Sequence, residues 1–188
     1  KTQQGRGLLL GGAPGVNPAN VLILGGGVVG ENAAEIATGM KAEVTILDKS
    51  AQRLKELQNK FGELINPQLI DDIDLKELVK ICDLLIGGVL IPGANAPKLI
   101  SKEMISLMKR GSVIVDVAID QGGCVATSKP TTHADPTYLV DEVVHYCVAN
   151  MPGGVPMTST LALNAVTLPF ILKLAQEGYQ NALSSDAN

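Results

Sequence analysis

The chain has 188 residues with a net charge of −4 and no basic block, a balance that argues against nucleic acid as a partner. Hydrophobic residues make up 46% and charged residues 18%, which argues against disorder, while an aromatic content of only 3% predicts an aliphatic core. No apolar run reaches the roughly 18 residues that a membrane span needs, so we expect no membrane partner.

Apolar runs of strand length alternate with helical patterns along the chain. Residues 1–19 are rich in Gly and Pro, carry one short strand predicted at 7–10, and are interpreted as a connector. Strands are then predicted near 20–24, 43–47, 63–65, 84–86, 113–117 and 143–148, and helices near 28–40, 50–60, 72–81, 101–109 and 156–177. The runs are continuous, as in strands that are covered on both faces. The alternation predicts a doubly wound α/β fold with a parallel sheet of about six strands.

The segment 120–137 interrupts this alternation. It consists largely of Gly, Pro, Ser, Thr and Asp, and a loop of that length within a compact domain is usually functional. The loop places Asp120 directly before two glycines. That carboxylate either caps a backbone amide or serves a site, and the loop alone does not decide between the two.

The cysteines and histidines predict no metal site. Cys82, Cys124 and Cys147 are odd in number and lack metal-ligand spacing, so they are interpreted as free thiols in a reducing, cytoplasmic compartment. The start, KTQQGRG, is not a signal peptide. We interpret His133 as a surface residue and His145 as a hydrogen-bonded strand residue rather than as catalytic groups.

The run VLILGGGVVGENAAEIATGMKAEVTILD carries the strongest functional pattern. An apolar strand leads into a G-x-G-x-x-G turn, and a helix follows. Gly25 permits the tight turn, Gly27 lets a pyrophosphate approach the backbone, and Gly30 lets the helix pack closely on the strand. Val28 and Val29 open the helix, where free N–H groups and a partial positive charge favour phosphates. A packing turn is the alternative, but the strand and helix on either side favour dinucleotide binding.

An acid at the end of the next strand supports this prediction. Asp48 is placed to accept hydrogen bonds from the hydroxyl groups of an adenosine ribose, and its charge would repel the 2′-phosphate of NADP. The alternative is a helix-capping role. Arg53 weakens the preference for NAD, because a guanidinium near the ribose partly accommodates a phosphate.

Three further loops follow predicted strands, and ligands of open α/β sheets bind at such carboxyl ends. Small residues after the fourth strand, including Gly88, leave room for a flat ring on which Val89 and Leu90 can pack. A plain strand-to-helix turn is the alternative there. The second loop follows Val117. In the third, after the last strand, Asn150 is a candidate partner for a nicotinamide carboxamide and Met151 for the ring face.

Several long runs together resemble a known family. GRGLLLGGAPGV, VLILGGGVVGENAA, TILD, DLLIGGVLIPGANAPKLI, VIVDVAIDQGGCVATSKPTTHADPTY and VVHYCVANMPGGVPMTSTLALNAVTLP closely resemble the NAD-binding domain of alanine dehydrogenases. The related transhydrogenase subunit usually lacks the DQGG and HYCVANMPG runs in this form. The resemblance covers residues 5–178 and implies a Rossmann-type fold, NAD as cofactor, and reversible oxidative deamination of L-alanine to pyruvate and ammonia.

The resemblance also implies roles for residues in four loops. Asp48 would bind the adenosine ribose. Asp120 would face the substrate as the catalytic carboxylate, orienting the water that attacks the imino intermediate. The nicotinamide side would be lined by Gly88, Val89, Leu90, Val117, Ala118, Ile119, Asp120, Val148, Ala149, Asn150 and Met151. Lys129 is a cofactor-side candidate that stands where many members have Arg.

The chain departs from this family at both ends. Members carry an N-terminal substrate region that is absent from these residues, so we interpret 20–178 as the cofactor domain, 1–19 as its connector and 179–188 as a truncated tail. We expect this fragment alone to be inactive and the intact enzyme to be a homohexamer. The alternatives are the NAD(H)-binding domain of a transhydrogenase or a related amino-acid dehydrogenase, and a non-catalytic NAD-binding module.

Overall fold

The computed structural model describes residues 5–91 and 93–186, and its centre is one sheet with the strand order β3-β2-β1-β4-β5-β7-β6. The strands are β1 (Asn20–Leu24), β2 (Glu43–Asp48), β3 (Ile65–Leu69), β4 (Leu84–Gly87), β5 (Val113–Asp116), β6 (Thr137–Val140) and β7 (Val143–Tyr146). The helices are α1 (Val28–Gly39), α2 (Ala51–Phe61), α3 (Leu75–Ile81), α4 (Lys102–Ile105) and α5 (Pro156–Ser184). The doubly wound α/β fold is confirmed, with seven strands where six were expected.

The sheet has a core on each face, which explains the continuous apolar runs. Along β1, Val21 and Ile23 pack in one cluster with α1 and α2, while Leu22 and Leu24 pack in the other with α3 and α4. Every one of these four side chains is buried. Because successive side chains of a strand point to opposite faces, a strand between two helical layers must be apolar at every position.

The strand order reverses beside β1, and this reversal creates a cleft. β1 pairs in parallel with β2 on one side and with β4 on the other. The loops that follow β1 and β4 therefore leave the sheet toward opposite faces. In open α/β sheets the crevice at such a switch point is the usual ligand site.

The third strand lies further along the chain than predicted. β3 covers Ile65–Leu69, and residues 62–64 form a 3₁₀ turn instead of the strand start that the apolar run suggested. The strand contains Pro67, which cannot donate a ladder hydrogen bond. It is tolerated because β3 is an edge strand whose only partner in the sheet is β2.

The missed strand is β6, which pairs antiparallel with β7 at the other edge. Asp141 and Glu142 join the two strands, and both have positive φ angles, of 48° and 62°. Two central residues with positive φ make a tight hairpin turn that usually contains Asn or Gly. The sequence lacks that signal, so it predicts the strand at 143–148 but no strand over 138–142.

Two other predicted elements also differ. Residues 7–10 are not a strand. Helix α4 ends at Ile105 rather than 109, because the amides of Leu107 and Met108 bond to carbonyls three residues back, at Met104 and Ile105. That spacing belongs to a 3₁₀ turn, which tightens the end of the helix.

The chain divides into two compact units, one that ends at Ala149 and one that begins at Asn150. The sheet lies in the first unit. Helix α5 lies in the second and runs past the predicted end at 177, with a non-helical residue at Gly178 (φ 72°). Within the described residues, α5 is long and apolar enough to cross a membrane by length and composition, which the sequence analysis did not anticipate. One such helix is weak evidence for a membrane span.

Candidate functional site

A cleft of about 530 Å³ opens at the carboxyl ends of β1, β2, β3 and β4. This volume falls within the range of small-molecule sites. It is lined by Gly25, Gly27, Val28, Val29, Leu47, Asp48, Lys49, Ile70, Gly88, Val89, Leu90, Ile91, Pro97 and Leu99. The structure thus brings together the predicted glycine turn, the predicted acid and the predicted loop after β4.

Two glycines of the turn are required by close packing. Gly25 has a φ of 95°, and a Cβ atom on it would lie 2.9 Å from the carbonyl oxygen of Gly88. A Cβ atom on Gly30 would lie 1.8 Å from the carbonyl oxygen of Gly25. No side chain fits at either contact, so the turn and the start of α1 are held directly against each other and against the loop after β4.

The middle glycine, Gly27, has a different environment. A Cβ atom there would meet nothing within 4 Å, and the residue is exposed at the N-cap of α1. The first amides of a helix have no partner within the helix, and Gly27 has no side chain with which to cap them. The structure therefore leaves an open cradle of backbone N–H groups at the positive end of a helix, which fits the pyrophosphate of a dinucleotide.

Asp48 lies at the end of β2 and is tied to the glycine turn. Its Oδ2 accepts a hydrogen bond from the amide of Gly26 at 2.7 Å, and its Oδ1 accepts one from the amide of Ser50 at 2.8 Å. Each carboxylate oxygen keeps further acceptor capacity. The carboxylate is half-buried at the edge of the cleft, where the acid that holds an adenosine ribose stands in dinucleotide sites.

Part of the apolar wall of the cleft was not predicted from the sequence. Ile70, which directly follows β3, and Pro97 and Leu99, which lie in the loop between β4 and α4, provide surfaces on which a flat ring can pack. Ile70 would have been found if β3 had been placed correctly, because residues that follow parallel strands meet at one edge. Nothing in the sequence pattern singles out Pro97 and Leu99, since the long loop that carries them has no regular period.

The segment after β5 forms a 3₁₀ turn, Val117–Gln121, that carries Asp120. Asp120 is exposed, whereas the other two predicted residues of the turn, Ala118 and Ile119, are buried. The amide of Ala96 donates to the carbonyl of Gln121 at 2.9 Å, which joins this turn to the loop after β4.

Beside Asp120, the side chain of Gln121 has an unusual environment. Its Oε1 is the one buried side-chain polar atom in the described part of the chain that lacks a hydrogen-bond partner. A buried acceptor without a donor costs about 1–3 kcal/mol, so such atoms often mark functional positions. Gln121 directly follows Asp120, the predicted catalytic residue, in the chain.

A second carboxylate, Asp116, was not predicted. It ends β5, is fully buried, and accepts hydrogen bonds from the amides of Cys124 (3.2 Å) and Val125 (3.1 Å) and from the Ser128 hydroxyl (2.6 Å). The exposed side chain of Lys98 donates from Nζ to three carbonyl oxygens of the same loop. These belong to Gly122 (2.5 Å), Gly123 (2.8 Å) and Val125 (3.2 Å). A buried anion and an exposed cation therefore fix the loop that follows Asp120.

The remaining polar side chains near β7 have structural roles. His145 is fully buried, stacks on Tyr138 with ring centroids 5.1 Å apart, and its Nδ1 donates to the Val143 carbonyl at 3.0 Å. Its Nε2 then accepts from the Thr127 hydroxyl at 2.8 Å. Burial lowers the pKa of His145, which keeps the ring neutral. The interpretation of His145 as a hydrogen-bonded strand residue is consistent with this geometry.

The thiols are likewise buried. Cys82, Cys124 and Cys147 are free, and burial raises the pKa of each thiol. Within residues 5–91 and 93–186, no group of three His, Cys, Asp or Glu side chains is placed to hold a metal ion. Raised thiol pKa values leave little thiolate, so these cysteines are poor nucleophiles.

Other predicted residues do not line the cleft. Lys129 is exposed, and its amide donates to the Tyr138 hydroxyl at 2.7 Å. Val148 is buried and forms a bridge with Thr131. Ala149, the last residue of the first unit, is exposed. Asn150, with a φ of 56°, and Met151 belong to the second unit. The roles of these residues stay predictions.

The whole chain matches one protein family. Residues 1–188 match the model described as alanine dehydrogenase/PNT, C-terminal domain. The alanine dehydrogenase of Halomonas elongata is 60% identical over 186 residues, which cover 99% of this chain and 50% of that protein. The chain spans about half the length of the curated relatives it matches.

Two solved structures agree with this match. An L-alanine dehydrogenase superposes with a TM-score of 0.93 at 52% identity, over 98% of this chain and 51% of that chain. A transhydrogenase from Sinorhizobium meliloti superposes with a TM-score of 0.69 at 28% identity, over 81% of this chain and 44% of that chain.

Proposed function

Because the chain belongs to the family of alanine dehydrogenase/PNT C-terminal domains, we propose that residues 20–178 bind NAD(H) as the cofactor domain of an alanine dehydrogenase. The longer protein would catalyse the reversible oxidative deamination of L-alanine to pyruvate and ammonia. We further propose that the longer protein is a cytoplasmic homohexamer.

One observation carries the proposal of NAD(H) binding. The open cradle at Gly27 and the carboxylate of Asp48 line the same cleft, at the topological switch point of the sheet. Close packing leaves no room for a side chain at Gly25 or Gly30. A pyrophosphate at the start of α1 would leave the adenosine ribose beside Asp48 and the adenine on the apolar wall. The nicotinamide would then extend toward the loops after β4 and β5.

The residues of this chain would mainly hold the cofactor and the reacting groups in position and polarise the reacting groups. When bound, the nicotinamide ring supplies the acceptor for the hydrogen on the alanine Cα. Asp120 would hold and orient the attacking water at its carboxylate and exchange a proton with it. Asp116 and Lys98 would keep the following turn in place, so that Asp120 is presented at a fixed position.

A titration of this chain with NADH and, in parallel, with NADPH tests the proposal. We expect NADH to bind more tightly, and we expect Asp48→Asn to weaken NADH binding by about 1–3 kcal/mol, the value of one charge-assisted hydrogen bond. The preference for NADH over NADPH should decrease as well, because the variant lacks the charge that repels a 2′-phosphate.

The matched control is Glu43→Gln, which removes the same charge from the amino end of the same strand, β2. It should leave both affinities unchanged. An Asp48→Asn protein that keeps the wild-type ratio would contradict the ribose assignment, and wild-type protein that binds neither cofactor would contradict the proposed function.

The similarity to a transhydrogenase structure supports a second candidate, the NAD(H)-binding domain of a transhydrogenase. The identity of 28% is lower than the 52% to the L-alanine dehydrogenase, so the first candidate is favoured. Assays of the longer protein distinguish the two: one oxidises alanine with NAD⁺, and the other transfers reducing equivalents between NADH and NADP⁺.

A further inference from the structure

Arg53 connects the helix after β2 to the glycine turn. It lies in the first turn of α2, and its Nε donates to the carbonyl of Gly26 at 2.7 Å. Gly26 is the same residue whose amide is held by Asp48. The guanidinium is therefore beside the position that the proposed function assigns to the adenosine ribose.

The other nitrogens of this guanidinium already have acidic partners. Nη1 donates to Glu56 at 3.0 Å, and Nη2 donates to Glu31 of α1. All three nitrogens of Arg53 are thus engaged, one by a carbonyl and two by carboxylates. Both Arg53 and Glu31 are partly buried, with side chains 29% and 26% exposed.

Glu31 is held in this position by a second cation. Lys60 of α2 donates to Glu31 at 2.8 Å and to Glu35, one turn further along α1, also at 2.8 Å. Hydrogen bonds from Lys60 and Arg53 hold the pKa of Glu31 below its ordinary value. Glu31 is therefore an anion at neutral pH, and its charge offsets that of Arg53.

A 2′-phosphorylated dinucleotide needs the opposite arrangement. An arginine near the ribose accommodates the 2′-phosphate when its N–H fork is available and its charge is not neutralised. Here both nitrogens of the fork donate to carboxylates, Nη1 to Glu56 of α2 and Nη2 to Glu31 of α1, and these carboxylates offset the charge of Arg53. Removing the carboxylate of Glu31 would increase the net positive charge at the edge of the cleft. It would also leave Nη2 of Arg53 available to a phosphate.

From this geometry, and resting on the proposed NAD(H) binding, we propose that Glu31 is a specificity-determining residue. It sequesters Arg53 and thereby excludes NADP(H) from the cleft. Asp48 supplies the direct repulsion, and Glu31 acts through Arg53 to remove the attraction that would otherwise oppose it.

The test is a titration of wild-type and Glu31→Gln protein with NADH and NADPH, followed by fluorescence. We expect the variant to bind NADPH about two- to fivefold more tightly, the range for one partly exposed ion pair, with NADH affinity unchanged. The matched control is Glu35→Gln, which removes the same charge from α1 but contacts Lys60 and not Arg53. It should leave the affinity ratio at its wild-type value.

A double-mutant cycle with Arg53→Ala isolates the mechanism. In the Arg53→Ala background, Glu31→Gln should have no effect on NADPH affinity. The inference is overturned if Glu31→Gln leaves the ratio unchanged, if Glu35→Gln raises NADPH affinity equally, or if the gain persists without Arg53. In each of those cases wild-type binding of NADH still supports the proposed function, whereas wild-type protein that binds neither cofactor overturns both.

Discussion

Gly27 and Gly30 belong to one motif but face opposite environments, and this difference can be measured. We expect Gly30→Ala to destabilise the fold by roughly 1–3 kcal/mol or more, because its Cβ would overlap the carbonyl of Gly25. Gly27→Ala should lower the free energy of unfolding by no more than about 1 kcal/mol, the cost of a poorer N-cap, and lose about tenfold or more in NADH affinity, since a methyl group would occupy the cradle. Denaturant unfolding and NADH titration read out the two effects separately.

Gly39→Ala is the control for this pair, because a Cβ atom at the end of α1 also meets nothing within 4 Å and lies away from the cleft. It should leave NADH affinity unchanged and should not lower the free energy of unfolding, because alanine is a better helix former than glycine. Equal loss of stability in the Gly27 and Gly30 variants would show that the motif is only a packing turn.

Residues whose role is set by local backbone geometry were predictable, and those whose role depends on distant partners were not. The glycines and Asp48 were found because a strand, a turn and a helix impose a fixed spacing. Asp116 and Lys98 were missed, since their partners are main-chain groups of a loop that has no sequence signature. Glu31 was missed because Arg53 lies 22 residues away and contacts it only through the packing of α1 on α2.

At the scale of elements, the loop after β5 depends on Asp116. We expect Asp116→Ala to lower the free energy of unfolding by at least about 3 kcal/mol, because it leaves the buried amides of Cys124 and Val125 without acceptors. Asp135→Ala removes the same charge from an exposed position in the same segment and should be nearly neutral. Urea unfolding of both variants provides the comparison, and similar losses would contradict a structural role for Asp116.

Strands in the middle of the sheet were predicted closely, and those at its edges were not. β1 and β4 are apolar at nearly every position because helices cover both faces. β3 and β6 carry polar residues, and β3 also carries a proline, because an edge strand pairs on one side only. A run of apolar residues therefore indicates that a segment is buried, not that it forms a strand. It does not predict edge strands, whose residues are less buried.

For the whole molecule, we expect these 188 residues to bind NADH without oxidising alanine, because they span about half the length of the relatives. The formation of NADH from NAD⁺ and alanine, followed by absorbance, measures this, with the longer protein as the positive control. In that longer protein, Asp120→Asn should slow turnover by about 10²–10⁴-fold and spare NADH affinity. Alanine oxidation by the isolated chain would refute the first expectation, and full activity of the variant would refute the second.

Gly26 is held at both ends, its amide by Asp48 and its carbonyl by Arg53. The turn that is proposed to receive the pyrophosphate is therefore held in place before any ligand binds. A preorganised site loses little conformational entropy on binding, because its ordering has already occurred during folding. The same two contacts oppose a rearrangement of the turn on binding, so adaptation to the cofactor would fall to the more exposed loop after β4.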